Sequence, residues 1–492
     1  MSSEDIFDQA LAHFEKGEYG KSVHVLNALL KEDPDDLDAL FLRARCLLLT
    51  DHLAESLQDL DRLIESVPDF IDGRLTRALL LEETGENERS MSDAETVLEQ
   101  DSECVPALSL CGRIHYRLDR YDQALECLNR AIESRTEPNF LDYYYRAQTF
   151  LCLENPQAAA QDFAEVLRLD PDHNGALFGL ACLRAANEEY EEALKLVERA
   201  IILYPDDPYY HDRKAEWLAQ LGRTPEALAA AENLVEMTSA HPEALLLKAR
   251  ILKDSGDLEG ALAPLTLAAS HTEADWNVFY LQGVILNVLG RYAQSLEALE
   301  AFLKKSPENL PCLTERVSSL LGLRRHAEAE AECVKLMKIE PENASHYNTR
   351  AMARAALNRR EEAIEDYLKS IQLDPDDVCS YLNLAELYVI THRAHKAADV
   401  LHYFSDRFDS LPPTDQLPFA YYDCLTCKLL DRDLKPAEDR LRAIDLKQCF
   451  ASYYFGDIHQ WLEETDLPGE KKDYIRRLTD AFEKKNGFDL SA

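Results

Sequence analysis

The amino-acid sequence predicts an all-α solenoid, in which helical hairpins stack one after another along most of the 492 residues. Three observations predict this class of fold. Proline returns at intervals of 34 residues or a multiple, as from Pro34 to Pro68, with one residue added in a single interval. Ten residues after each such position stands a small side chain, and a second one follows twelve residues later. Glycine and proline are scarce, 16 and 20 in total, which favours helices.

The two series of small residues define the two helices of each predicted hairpin. The first series is broken only by Val317 and consists of Ala10, Ala44, Ala78, Gly112, Ala147, Ala181, Ala215, Ala249, Gly283, Ala351 and Ala385. The second series is unbroken and consists of Ser22, Ser56, Ser90, Ala124, Ala159, Ala193, Ala227, Ala261, Ser295, Ala329, Ala363 and Ala397. A small side chain in each helix lets the two helix axes approach closely, while larger apolar neighbours fill the remaining volume.

A tight turn is predicted between the two helices of each hairpin. Residues that tolerate the left-handed conformation stand there in eight of the hairpins: Gly17, Asp51, Gly85, Asp119, Gly222, Gly256, Gly290 and Asn358. The recurring proline ends the second helix and starts the next hairpin, because it cannot continue a hydrogen-bonded helical turn.

This pattern resembles the tetratricopeptide repeat (TPR) family. The segments that carry the resemblance are "ALFGLACLRAANEEYEEALKLVERAIILYP" at 176–205 and "SHYNTRAMARAALNRREEAIEDYLKSIQLDP" at 345–375. The 34-residue period is specific to that family among helical repeats. The resemblance implies a TPR α-solenoid, which is a right-handed superhelix, with about twelve repeats over residues 3–409. One repeat has an added residue near 134–142, where we expect a lengthened loop.

The repeat register breaks after Asp409. Residues 410–446 are interpreted as a degenerate thirteenth repeat, with Ala437 as its second small residue. Residues 447–492 are predicted to form C-terminal capping helices, because a stacked array leaves its last apolar face bare and needs a more polar terminal cover.

Charge and composition exclude several classes of partner. With 91 acidic and 53 basic residues the formal net charge is −38, so neither nucleic acid nor an anionic membrane surface is an expected partner. Residues 1–15 have no basic start and no apolar core, which argues against a signal peptide, and no apolar run is long enough for a membrane helix. Twelve scattered cysteines in so large a chain suggest a reducing cytoplasm. The acidity itself is typical of a well-solvated surface.

No catalytic motif is present in the sequence: we find no glycine-rich phosphate loop, nucleophile elbow or zinc helix, and expect neither an enzyme nor a cofactor or small-molecule substrate. Cys424 and Cys427, with Cys449 and His459, offer four potential zinc ligands. Their spacing is irregular and the pair lies in an apolar helix, where free cysteine is a common core residue, so no metal is expected. A looser cluster, expected at the surface near a turn, consists of His392, His395 and His402.

The resemblance also implies where a partner binds, since in TPR proteins the first helix of each repeat lines a concave groove. The side chains expected to face this groove stand three residues before, one residue after and four residues after the first small residue of each repeat. The predicted partner-binding residues are Arg45, Leu79, Arg113, Tyr116, Tyr144, Gln148, Phe178, Arg250, Tyr280 and Asn348. Cys182, Ala185 and Glu386 fall on the same face. Aromatic residues with arginine are typical of peptide-binding hot spots, although some of these tyrosines could instead pack between repeats.

The predicted function is a non-catalytic scaffold or adaptor that holds a peptide or helix of a protein partner in its groove. The alternative is a co-chaperone-like or regulatory subunit of a complex, acting through the convex face or the C-terminal helices. The sequence leaves open the partner and the oligomeric state.

Overall fold

The computed structural model describes residues 3–271, 276–444 and 456–483, and in these residues it contains helices and no strand. The helices form two compact units, Met1–Ala240 and His241–Ala492. No helix in the described ranges is both long and apolar enough to cross a bilayer.

The first unit consists of seven helical hairpins. Its first helices are α1 (Ser3–Glu15), α3 (Leu37–Leu48), α5 (Ile71–Glu83), α7 (Val105–Arg117), α9 (Phe140–Cys152), α11 (Asn174–Ala186) and α13 (Pro208–Gln220). Its second helices are α2 (Tyr19–Glu32), α4 (Leu53–Ser66), α6 (Asn87–Gln100), α8 (Tyr121–Ser134), α10 (Pro156–Leu169), α12 (Tyr190–Leu203) and α14 (Thr224–Met237).

The second unit holds five further hairpins and a helical C-terminal region. The first helices are α15 (Pro242–Asp254), α17 (Trp276–Val288), α19 (Leu310–Gly322), α21 (Ala344–Ala356) and α23 (Val378–Ile390). The second helices are α16 (Leu258–Ala269), α18 (Tyr292–Leu303), α20 (His326–Ile339), α22 (Arg360–Leu373) and α24 (Ala394–Ser405). A short 3₁₀ turn at Phe408–Ser410 then leads to α25 (Pro413–Leu429), α26 (Lys435–Ala443), α27 (Gly456–Glu464) and α28 (Gly469–Glu483).

The first helices often begin at an acidic or amide side chain that follows the repeat proline. Asp36 accepts a hydrogen bond from the backbone N–H of Ala39 at 3.0 Å, and Asp377 accepts one from Cys379 at 3.2 Å. Such caps satisfy backbone donors that have no partner inside the helix. They explain the recurring acidic residues of the "DPDD" segments.

The spacing of twelve between the small residues has a direct structural cause. Where the second residue is serine, its hydroxyl is buried and donates to the backbone carbonyl of the first small residue. The pairs are Ser22 to Ala10 (2.8 Å), Ser56 to Ala44 (2.8 Å), Ser90 to Ala78 (2.6 Å) and Ser295 to Gly283 (2.7 Å). Close helix contact places the hydroxyl within reach of that carbonyl, so the buried polar group is satisfied.

All eight predicted turn residues have positive φ, and their position is the same in every hairpin, seven residues after the first small one. At the same position of the four remaining hairpins, residues whose type did not indicate it also have positive φ: Glu154, Glu188, Arg324 and His392. The backbone explains them. The N–H of the next residue donates back into the first helix, as from Glu189 to the carbonyl of Arg184 at 2.9 Å, and this hydrogen bond closes the turn.

A buried arginine–aspartate pair also recurs, which the sequence analysis did not identify. Arg43 in α3 donates to both carboxylate oxygens of Asp59 in α4, at 2.7 and 2.6 Å, and also to Asn27 in the preceding α2 at 2.7 Å. One guanidinium therefore ties a first helix to its own second helix and to the hairpin before it. The other pairs at this spacing are Arg77–Asp93, Arg146–Asp162 and Arg350–Asp366.

The loop near 134–142 has five residues, 135–139, where most others have four. Asp142 is fully buried behind this loop and accepts from the Ser109 hydroxyl at 2.5 Å. Arg135, in the loop itself, lies 3.0 Å from the other Asp142 oxygen and donates to Ser109 at 3.0 Å. The longer loop thus places Arg135 next to the buried carboxylate of Asp142, and these contacts stabilise the loop.

The pair α25–α26 repeats several hairpin features. Cys424 and Ala437 are buried at the close contact, and Asp431, seven residues after Cys424, has positive φ. Cys424 thus takes the place of a first small residue. Helix α28 covers α25, where the Tyr421 hydroxyl lies 2.8 Å from that of Thr479. The predicted capping region 447–492 is described only in part, since 445–455 and 484–492 lie outside the described residues.

Candidate functional site

The first helices of neighbouring hairpins touch one another directly. In the first unit α1, α3, α5, α7 and α9 contact in succession, and in the second unit α17 contacts α19 and α21 contacts α23. Side chains continue the series in the first unit, where the Tyr210 hydroxyl of α13 donates to Asn174 of α11 at 2.6 Å. We call the surface formed by these helices the first-helix face of each unit. Seven of the ten predicted binding residues belong to the first unit.

Tyr144 lies at the centre of an aromatic group on the first-helix face. Its ring centroid is 5.6 Å from that of Tyr145 and 4.6 Å from the His173 ring, and Tyr145 in turn lies 5.7 Å from Tyr116. Gln148 donates to the Tyr144 hydroxyl at 3.1 Å. The structure therefore brings together three of the predicted residues, in half-exposed positions.

Tyr144 also packs between repeats. A Cβ atom on Gly175 of α11 would lie 2.6 Å from the Tyr144 hydroxyl, so only glycine leaves room for the ring there. Phe178 has a similar environment, with ring centroids 4.9 Å from Tyr209 and 5.3 Å from Tyr210 of the next first helix. Tyr209, not named from the sequence, covers Phe178 and is itself 55% exposed.

Arg113 does not present a free positive charge. Its guanidinium donates to both oxygens of Glu82, at 3.0 and 2.5 Å, and Glu82 is 8% exposed. Although burial disfavours the charge of Arg113, the Glu82 carboxylate raises the pKa of the guanidinium. The charge of Arg113 is therefore balanced within the protein, because the ion pair with Glu82 neutralises both groups.

Arg45 and Leu79 lie at the surface of the same face. The Arg45 guanidinium stands 4.7 Å from the Phe14 ring centroid and 5.7 Å from that of Phe41, in cation–π geometry. Leu79 is 44% exposed. These two residues are accessible to a partner.

The three predicted residues of the second unit lie apart from this aromatic group in sequence and have different surroundings. Arg250 is exposed, and Tyr280 is half-buried with its ring 5.9 Å from Phe302. Asn348 accepts a hydrogen bond from Asn383 of the next first helix at 3.2 Å. That contact joins two successive repeats.

A pocket that the sequence analysis did not predict opens between α11 and α13, with a volume of about 360 Å³. Its apolar part is formed by Cys182, Ala185, Ala186 and Trp217, and its rim carries Arg213 and Glu216. Tyr190 at the start of α12 and Gln220 at the end of α13 complete the lining. A signal was present in the sequence. Four residues after the first small residue, this hairpin has Ala185, whereas four of the preceding first helices carry large side chains there, namely Phe14, Leu48, Tyr116 and Leu151. Ala219 and Ala355 are the other small residues at this position.

At Glu386 the chain covers its own first-helix face. This residue of α23 forms a hydrogen bond with Tyr422 of α25 and faces Asp457 of α27. Burial is the main cause that raises the pKa of Glu386 to about 7. The ring of His392, just after α23, lies 6.1 Å from that of Trp461 in α27. The face is thus occupied by helices of the same chain at this end.

The candidate zinc ligands are not assembled into one site within the described residues. Cys424 is fully buried, and burial raises the pKa of its thiol and that of Cys427, which disfavours the thiolate that zinc binds. His459 is 3.0 Å from Glu483, and with Asp480 these groups lie within 4.8 Å of one another, an arrangement that exposed acidic groups commonly form without an ion. Cys449 lies outside the described residues. The three histidines His392, His395 and His402 are exposed.

Comparison with known proteins finds the same repeat. A family model described as a tetratricopeptide repeat matches residues 7–69, 75–138, 144–208 and 214–277. A second, described as a TPR repeat, matches residues 351–389.

One curated relative is the tetratricopeptide repeat and J domain-containing co-chaperone DNJ1 of Fusarium oxysporum f. sp. lycopersici. It is 26% identical over an alignment of 211 residues, and the match covers 39% of this chain and 40% of the relative. The chain thus spans about two fifths of the length of that relative.

Solved structures of repeat proteins are similar at low identity. The C-terminal part of a TPR repeat-containing protein from Cytophaga hutchinsonii is 18% identical with a TM-score of 0.39, over 49% of this chain and 98% of that one. YrrB, a TPR protein with an unusual peptide-binding site, is 20% identical with a TM-score of 0.34, over 38% of this chain and 95% of that one. At these identities the likeness concerns the fold alone.

Proposed function

Since the chain belongs to the tetratricopeptide repeat family, we propose that it is a scaffold that binds a peptide or helix of a protein partner on the first-helix face of its first unit. Proteins built of these repeats are generally non-catalytic, and we extend this to the present chain. We also place it in the cytoplasm, a compartment that suits the eleven free cysteines of the described residues.

The observation that carries the proposal is the presence of two groups of partly exposed aromatic rings on neighbouring first helices. Tyr116, Tyr145 and Tyr144 contact one another in sequence, and Phe178 with Tyr209 forms a second group on α11 and α13. Exposed aromatic side chains supply large contact area at a low entropic cost, and they are enriched where proteins bind peptides. Leu79 and Arg45 continue the accessible surface toward α3.

The test compares partner capture by surface variants. Tyr144 and Arg113 are unsuitable targets, because each also holds neighbouring repeats together. Leu79→Glu combined with Tyr209→Glu changes two exposed residues of the face and is expected to remove the partners that the wild-type chain captures from its native cell, as identified by mass spectrometry. The matched control is Ile202→Glu on α12, a second helix, where the side chain is 78% exposed.

The outcomes separate the two hypotheses. Loss of partners in the double variant and retention in the control supports binding on the first-helix face. Retention of every partner by the double variant contradicts it. Loss of partners only with Ile202→Glu, or only after deletion of residues 410–492, would instead support a regulatory subunit that acts through the second helices or the C-terminal helices.

A further inference from the structure

We propose that the pocket between α11 and α13 is an anchor site for one large apolar side chain, presented by a basic segment of the protein partner. This inference rests on the proposed function and specifies the chemistry of the partner. The pocket lies on the first-helix face, next to the contact of Phe178 with Tyr209. The shape of the pocket indicates an apolar side chain, and the charges around it indicate a basic segment.

Small side chains contribute to the space of the pocket. Ala185 leaves the space that Tyr116 and Leu151 occupy at the equivalent position of two preceding hairpins, and the next residue, Ala186, adds a second small side chain to the lining. The Trp217 ring, which is 5% exposed, forms its floor. A volume of 360 Å³ is at the small end of ligand pockets, which span about 300–1,000 Å³, and this suits a single aromatic or branched side chain.

Four of the residues that line the pocket form an apolar part, which stays uncharged at neutral pH. Burial raises the pKa of the Cys182 thiol to about 11, so the sulfur stays protonated and uncharged. Cys182, the two alanines and the tryptophan ring form the apolar part of the lining, and Tyr190 and Gln220 add a hydroxyl and an amide. Burial of an apolar side chain is the main favourable contribution that the apolar part can give, so this part favours a hydrophobic residue over a polar one.

The charged residues on the rim of the pocket are Arg213 and Glu216, and Asp212 lies beside the rim without lining the pocket. Arg213 lies 2.6 Å from an oxygen of Asp212 and 2.6 Å from an oxygen of Glu216, with its guanidinium 5.6 Å from the Tyr209 ring centroid. Two carboxylates thus surround one guanidinium. Glu216 balances the charge of Arg213 within the rim, and Asp212 leaves an excess of one negative charge next to the pocket.

The net charge of the first unit also favours a basic partner. Residues 1–240 contain 49 acidic and 22 basic side chains, a net charge of −27, whereas residues 241–492 contain 42 and 31, a net charge of −11. Charge complementarity steers association and excludes wrong partners. A segment rich in lysine and arginine around its apolar residue is therefore favoured over a neutral or acidic one.

The experiment measures binding of synthetic fluorescein-labelled peptides to the full chain by fluorescence anisotropy. The probe peptide has one phenylalanine flanked by lysine and arginine in about twelve residues. One comparison peptide has glycine in place of phenylalanine, and another has glutamate in place of the basic residues. We expect each comparison peptide to bind at least about tenfold more weakly than the probe.

Protein variants then locate the binding. Ala186→Leu fills the pocket from an exposed position and is expected to weaken probe binding at least about tenfold, as is Cys182→Leu from another wall. Ala229→Leu on α14 makes the same change at an exposed alanine of a second helix and is expected to leave affinity within about twofold. Circular dichroism and Tm confirm that each variant is folded.

The proposal is overturned if both pocket variants bind the probe as tightly as the wild-type chain, or if the glycine peptide binds as well as the probe. It is also overturned if the acidic peptide binds at least as well, or if the probe shows no binding at ~1 mM. Partners that are lost with Leu79→Glu and Tyr209→Glu but kept by Ala186→Leu would leave the proposed function standing and reject the anchor site. Partners kept by all variants would reject both.

Discussion

Arg146 donates two hydrogen bonds to Asp162, sixteen residues later, with Nε to Oδ2 at 2.7 Å and Nη2 to Oδ1 at 2.8 Å. Its remaining nitrogen Nη1 donates to Asn129 of the preceding hairpin at 2.8 Å. Asp162 is buried and Arg146 nearly so, which makes this pair a link between two repeats in a region of low solvent access. The energetics of such a link depend on keeping both partners.

Asp162→Ala is therefore expected to destabilise the first unit by about 3 kcal/mol, because Arg146 keeps a buried charge without its partner. Replacing both residues by apolar ones, Arg146→Met with Asp162→Leu, should restore much of that loss. Repeat arrays need not unfold in one step, so urea denaturation is combined with hydrogen exchange of α9 and α10. The control is Glu165→Ala, whose partner Arg168 is exposed and whose loss should barely change stability.

Ser56 provides a second test, of the close contact between the helices of a hairpin. Ser56→Ala removes the hydrogen bond to the Ala44 carbonyl but fits the space, since alanine stands at this position in other repeats. We expect a loss of about 1 kcal/mol. Ser56→Leu should cost far more, because the buried site has no room for the added atoms. Equal effects of the two substitutions on thermal unfolding would contradict this account.

Glu188 and Gly222 occupy the same turn position in neighbouring hairpins, with φ of 63° and 69°. A side chain is strained in this region by about 1 kcal/mol or more, whereas glycine is not. Glu188→Gly is therefore expected to raise the stability of the first unit and Gly222→Ala to lower it, each by about 1 kcal/mol. Urea denaturation measures both. Changes of the same sign for the two variants would show that the turn does not set their stability.

Much of the fold could be predicted because small residues recur at fixed positions of the helices and turn-forming residues recur between them. The small residues marked both helices of each hairpin, and glycine, asparagine or aspartate marked eight of the turns. Glu154 and Glu188 could not be recognised as turn residues from their type, since hydrogen bonds of the neighbouring backbone impose their conformation. The limits of the repeats at 3–409 and 410–446 remain predictions.

The candidate site was less predictable, because position on a helix does not determine what a side chain contacts. The spacing placed Tyr144 and Arg113 on the first-helix face, but the absence of a side chain at Gly175 and the carboxylate of Glu82 decide that both are engaged within the protein. The small residue at Ala185 is visible in the repeat pattern, but the pocket also depends on how side chains of α11, α12 and α13 pack together, which the pattern does not determine. Whether the ten named residues bind a partner remains a prediction for the experiments above.

Glu386 makes the C-terminal region sensitive to pH. Tyr422 of α25 and Asp457 of α27 face it, and Tyr367 and Tyr421 lie close enough to interact with its charge. Burial disfavours the carboxylate and raises the pKa of Glu386 to about 7 from 4.5. The folded state therefore binds this proton more tightly than the unfolded state does.

Binding of this proton contributes about 3 kcal/mol to the free energy of unfolding at pH below ~4.5. That contribution decreases as the pH rises and is lost as the pH passes through about 7. We expect urea denaturation of the wild-type chain to show lower stability at pH ~8 than at pH ~5, and Glu386→Gln to reduce that difference. Glu361→Gln is the control: Arg393 lowers the pKa of Glu361, so its contribution is lost only at pH below its ordinary range. An identical pH dependence of stability in the wild-type and Glu386→Gln chains would contradict this account. It would show that Glu386 is ionised in the folded as well as in the unfolded state, so that α25 and α27 accommodate its charge.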